Sequence, residues 1–78
     1  MKILIVDDEL VSRKKMDLLV TSLGYETLIA NDGLEGWEIW KRERPRMVIT
    51  DWMMPRMDGL ELCRKIREAE GSQYIYLI

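Results

Sequence analysis

The sequence predicts an α/β protein built on an open parallel sheet with helices on both faces, and three observations carry that prediction. Its aliphatic runs, Ile3 to Val6 and Met47 to Ile49, lack polar alternation, as strands covered on both faces do. Between such runs lie segments whose apolar residues recur at helical spacing. Turn-forming residues separate these segments, so the order reads β-α-β-α-β-α-β, which right-handed crossovers fold into a parallel sheet.

The first strand, Ile3-Leu4-Ile5-Val6, ends at Asp7 and Asp8. From Leu10 to Leu23, Met16, Leu19, Val20 and Leu23 recur on one side while Arg13, Lys14, Lys15 and Asp17 fill the other, which predicts an amphipathic helix. Gly24 follows the last periodic position, where a left-handed residue commonly closes a helix. Tyr25 to Ala30 has strand composition. Asn31-Asp32-Gly33 supplies a turn and a capping residue for a second helix that carries Leu34, Trp37 and Trp40 inward and runs to about Arg44, before Pro45. Met47-Val48-Ile49 is the third strand, ending in Thr50-Asp51. Pro55 and Asp58-Gly59 mark a loop before a third helix with Leu62, Cys63, Ile66 and Ala69 on its inner side. Gly71-Ser72 breaks that helix, and Tyr74 to Ile78 reads as a fourth strand.

With 78 residues the chain holds one domain or less. It is 47% apolar and 33% charged, a balance that suits a folded globular domain and excludes a disordered or collagen-like chain. A net charge of −2 argues against a surface made for nucleic acid or anionic lipid. The apolar run Ile3 to Val6 is too short for a signal-peptide core or a membrane span, so a cytoplasmic protein without membrane contact is expected. The one cysteine, Cys63, cannot form an internal disulfide and reads as core; with no histidine, the usual zinc and histidine-dependent nucleophile arrangements are absent.

Functional crevices in open parallel sheets lie beyond the carboxyl ends of the strands. Asp7 and Asp8 follow strand one and Asp51 follows strand three, so if these strands are neighbours three carboxylates converge there. Oxygen donors of this kind suit a hard cation such as magnesium, which would relieve their repulsion. Without it, like charges at close range should raise the pKa of at least one member. A carboxylate can also accept a phosphoryl group, and Asp51 is the best-placed acceptor.

Each acid also has a plainer reading. Any one of Asp7, Asp8 and Asp51 alone could merely satisfy backbone donors, and for Asp32 and Asp58, each before a helix, capping explains the residue. Glu9 reads as a solvated loop acid, with tuning of the metal site as the alternative. Trp37 and Trp40, at helical spacing, read as core, with partial exposure of Trp40 as the alternative, and Trp52 either flanks the site or packs. Arg13-Lys14-Lys15 reads as a solvated helix face, with docking of a partner as the sharper alternative.

"ILIVDDE" at the start, "NDGLEG" before the second helix and "ITDWMMPRMDG" around Asp51 together resemble the receiver domain of two-component response regulators, across the whole chain. The resemblance implies a flavodoxin-like sheet. It implies Asp51 as phosphoacceptor, Asp8 as a direct Mg2+ ligand, Asp7 as an acid acting largely through bound water, and Met53 as the donor of a main-chain carbonyl to the metal. Pro55 and Gly59 match the loop that shapes the site. The implied partner is a histidine kinase or phosphotransfer protein, and the implied role is signalling rather than enzymatic, with at most self-phosphorylation and self-dephosphorylation in a full-length form.

In receivers a Ser or Thr closing strand four and a Lys closing strand five contact the phosphoryl group. The chain ends before either, so residues 1–78 are expected to be a partial receiver truncated after the fourth strand. The alternative function is accordingly a non-phosphorylatable interaction fragment, and a homodimer joined through the truncated edge is expected in either case. An aspartyl phosphatase ranks last, because such enzymes carry an acid two residues after the nucleophile and Met53 stands there.

Overall fold

The computed structural model describes residues 1–69 and 74–77. Its elements alternate: β1 (Lys2–Val6), α1 (Leu10–Ser22), β2 (Glu26–Ala30), α2 (Gly33–Glu43), β3 (Met47–Thr50), α3 (Gly59–Glu68) and β4 (Tyr74–Leu77). The strands form one sheet in the order β2-β1-β3-β4, with every neighbouring pair parallel. This is the flavodoxin-like arrangement expected from the sequence. The expected break at Gly71-Ser72 and the end of the last strand at Ile78 lie outside the described residues.

Register brings the strand ends level, since Val6 pairs with Ala30 on one side and with Thr50 on the other. Side chains of β1 alternate between two cores. Leu4 and Val6 join Val48, Trp40, Leu62 and Ile66 beneath α2 and α3, whereas Ile3 and Ile5 meet Val20 of α1. Both faces of β1 are thus buried, as its unbroken aliphatic sequence requires.

The α1 face is the thinner of the two. Val20 is the one buried residue of that helix and Met16 is half-buried, but Leu19 and Leu23, expected on its inner side, are 56% and 65% exposed. Among the described residues α1 alone covers this side of the sheet, and one helix is narrower than four strands. The tryptophans divide: Trp40 is 1% exposed, while Trp37, half-buried, stacks on it with ring centroids 5.7 Å apart and takes the ammonium groups of Lys41 and Lys65 over its own ring. Cys63 is buried, as expected.

Helix ends follow local chemistry. Asp32 caps α2 by accepting from the Glu35 amide, and Asp58 caps α3 by accepting from the Glu61 amide, each at 2.8 Å. Gly24, with φ of 94°, turns the chain out of α1 into β2.

Candidate phosphoacceptor and metal site

Two backbone hydrogen bonds carry the parallel ladders one step past the strands: the Asp7 amide donates to the Ala30 carbonyl at 3.2 Å, and the Asp51 amide to the Val6 carbonyl at 2.8 Å. Asp7 and Asp51 are thereby fixed side by side at the carboxyl ends of adjacent strands. Oxygens of Asp7, Asp8 and Asp51 lie within 4.8 Å of one another. The sequence expectation of three converging carboxylates is met by this geometry.

Their surroundings differ. Asp7 is 6% exposed, Asp51 is half-buried and Asp8 is exposed. Asp7 Oδ1 accepts from the Glu9 amide at 3.0 Å, and Asp51 Oδ1 accepts from the Trp52 amide at 2.8 Å. Burial pushes the Asp7 carboxyl above its ordinary pKa; the Glu9 amide opposes this, and the charges of Asp51, Asp8 and Glu9 add to the rise. A buried acid held beside two others is costly to ionise without a cation.

Three residues contribute in ways the sequence reading missed. Glu9 is no free loop acid: its carboxylate caps α1, accepting from the Val11 and Ser12 amides at 3.0 Å each, which holds its pKa below the usual value. Glutamate is an uncommon cap, so the usual Ser, Thr, Asp or Asn signal was lacking. Arg13 departs from the solvated face, its Nη1 donating to the Asp7 carbonyl at 2.9 Å. Arg56 pairs with Asp32, Nη1 to Oδ2 at 3.2 Å.

The β3–α3 loop leads from Asp51 to the start of α3. The Gly59 amide donates to the Trp52 carbonyl at 2.9 Å, drawing the start of α3 against the end of β3. Trp52, next to Asp51, has half its surface exposed, and Met53 is 78% exposed. A cleft of about 430 Å³ extends from Asp7 and Asp51 along α1, past Ser12 and Lys15 to Leu19.

Residues 3–78 match the family described as the response regulator receiver domain. The chain belongs to this family. Receiver sequences similar to it include the response regulator MprA of Mycobacterium leprae, 45% identical over 67 residues that make up 86% of this chain and 29% of MprA. The N-terminal domain of an uncharacterized protein, WS1339, from Wolinella succinogenes superposes with a TM-score of 0.94 at 32% identity, covering 100% of this chain and 63% of that one. The receiver domain of the sensor histidine kinase PA1611 from Pseudomonas aeruginosa PAO1, solved with a magnesium ion coordinated in its active-site cleft, gives a TM-score of 0.82 at 30% identity, over 86% of this chain and 55% of that one. The chain thus spans under a third of the length of its curated relative MprA. As a receiver it is a signalling domain of two-component systems, and none of its described helices is long and apolar enough to cross a membrane.

Proposed function

We propose that this receiver takes a phosphoryl group from a histidine kinase or phosphotransfer protein onto Asp51, with Mg2+ held by Asp7, Asp8, Asp51 and the main-chain carbonyl of Met53. The observation that carries the reading is the cluster of three carboxylates within 4.8 Å, one of them buried and raised in pKa. Hard oxygen donors at strand ends, strained by mutual repulsion, fit a small divalent cation that keeps several waters. When bound, the ion neutralises charge that spreads over the equatorial oxygens during transfer.

The protein's own part is positioning. The Trp52 amide holds Asp51 Oδ1, so Oδ2 is the oxygen assigned to attack phosphorus. The new O–P bond forms as the P–N bond to the donor imidazole breaks, and the imidazole nitrogen keeps the bonding pair and takes up a proton. The product is an acyl phosphate on a half-buried side chain whose backbone is fixed by β1. The transfer is self-contained chemistry of a cytoplasmic signalling domain, not turnover by an enzyme.

Incubation of the full-length protein that carries this receiver with a small acyl phosphate, followed by intact-mass measurement, tests the reading. One phosphoryl group is expected, dependent on magnesium and absent in Asp51→Asn. Labelling that persists in that variant would move the acceptor elsewhere.

A second reading concerns assembly. Among the described residues β4 is the outermost strand of the sheet, an apolar strand with Tyr74 and Tyr76 about half exposed. We propose that two copies pair through this edge about a two-fold axis. Light scattering over a concentration series checks it, and a mass that stays monomeric throughout counts against it.

A further inference from the structure

The β3–α3 loop makes an unusual turn at Arg56. Its φ is 72°, and the Met57 amide donates back to the Pro55 carbonyl at 2.8 Å, a three-residue turn that side chains with a Cβ seldom adopt. Glycine would take this backbone freely, so an arginine there needs a compensating contact. The contact is Asp32, whose carboxylate does two things at once: Oδ1 caps α2, and Oδ2 meets the Arg56 guanidinium at 3.2 Å. Beside it, the Met57 carbonyl lies so close to Gly33 that no Cβ would fit there, and the Met57 side chain is buried in the core. The loop is thus clamped to the start of α2 at two adjacent points, one by packing and one by charge.

We infer that Arg56 is a positioning residue for the metal site: its ion pair with Asp32 holds the loop that carries the Met53 carbonyl at the spacing Mg2+ requires. This rests on the phosphoacceptor reading above and extends it to a residue that touches neither metal nor phosphoryl group. The connection runs along the chain. Asp51 begins the loop, Met53 lies in it, and Arg56 pins its far end to the helix that follows β2.

The test uses the full-length protein that carries this receiver, and compares the native chain with Arg56→Gln, Arg56→Lys, Arg56→Gly, Asp32→Asn and the double variant Arg56→Gln with Asp32→Asn. Asparagine keeps an oxygen to cap α2 while removing the charge. Magnesium titrations followed by tryptophan emission and by Asp51 labelling should show the half-saturating concentration rising roughly two- to fivefold in Arg56→Gln, the range an exposed ion pair carries. Labelling at saturating magnesium should be unchanged. Arg56→Lys should recover most of the loss. Arg56→Gly should bind as weakly as Arg56→Gln, although glycine suits the turn, and the double variant should be no weaker than either single one. In the metal-free protein, amide exchange over residues 52–57 should quicken in Arg56→Gln. Native affinity in Arg56→Gln or Arg56→Gly, or additive losses in the double variant, would overturn the assignment. A native chain that takes no label at any magnesium concentration overturns the phosphoacceptor reading and this one with it, whereas a labelled native chain with an indistinguishable Arg56→Gln overturns this one alone.

Discussion

Asp7 shows how position converts an ordinary acid into a sensitive one. It is buried at the end of β1, faces two other carboxylates, and has one backbone amide to stabilise its charge. Its raised pKa means that, between the usual carboxylate value and the raised one, the folded protein holds a proton that the unfolded chain has released. Stability therefore falls as pH rises through that window, and above it the Asp7 charge opposes folding. Asp7→Asn keeps an oxygen for the Glu9 amide and removes the charge. In chelator at about pH 7 the variant is expected to melt at a higher temperature than the native chain, and the difference should vanish below the usual carboxylate pKa. Magnesium should raise the melting temperature of the native chain more than that of the variant. Thermal melts across pH, with and without the ion, check both statements; a variant that melts lower than native in chelator would contradict them.

At the scale of the element, α3 is set by two neighbouring residues with different jobs. Asp58 caps the helix from the exposed side, so Asp58→Ala should cost about 1 kcal/mol while leaving the site in place. Gly59 is buried where the helix start meets β3, and a Cβ there would collide with the Asp51 carbonyl. Gly59→Ala must push α3 away from the strand that presents the acceptor, at a cost of about 1–3 kcal/mol from overpacking. Denaturant melts should rank the two variants in that order, and Gly59→Ala alone should also slow Asp51 labelling at saturating magnesium. Equal labelling rates would mean that the helix start can shift without moving Asp51.

For the whole molecule, the uneven cover of the sheet is the dominant feature. Among the described residues one face carries two helices and the larger core, and the other carries α1, with Leu19 and Leu23 more than half exposed and β4 the outermost strand. Apolar surface of this kind favours association. A lysine on the edge strand opposes pairing, because two such strands cannot join without burying the charge or placing like charges near one another. On the proposed edge pairing, Tyr76→Lys, at a position 53% exposed, should therefore shift any monomer–dimer midpoint to higher concentration with little change in the fold. Sedimentation across a dilution series measures the shift, and an unchanged midpoint would move the interface to the α1 face.

Strand and helix identities were legible in the sequence because hydrophobic period and turn chemistry are local properties. Ile3 to Val6 had to be a doubly covered strand, and Asp32 and Asp58 had to be caps. The convergence of Asp7, Asp8 and Asp51 was also legible, since acids directly after two adjacent parallel strands meet at one end of the sheet. Tertiary structure decided the rest. Leu19 shares the helical spacing of Val20 yet stays exposed, because burial depends on what lies opposite and not on period. Trp40 went into the core while Trp37 remained at its border, stacked and partly wetted. The Arg56–Asp32 pair joins residues remote in sequence that meet only after β1 and β3 have paired and α2 has docked, and no local pattern encodes such a contact. Composition and period determine which segments form; the packing of one segment against another decides which charge meets which.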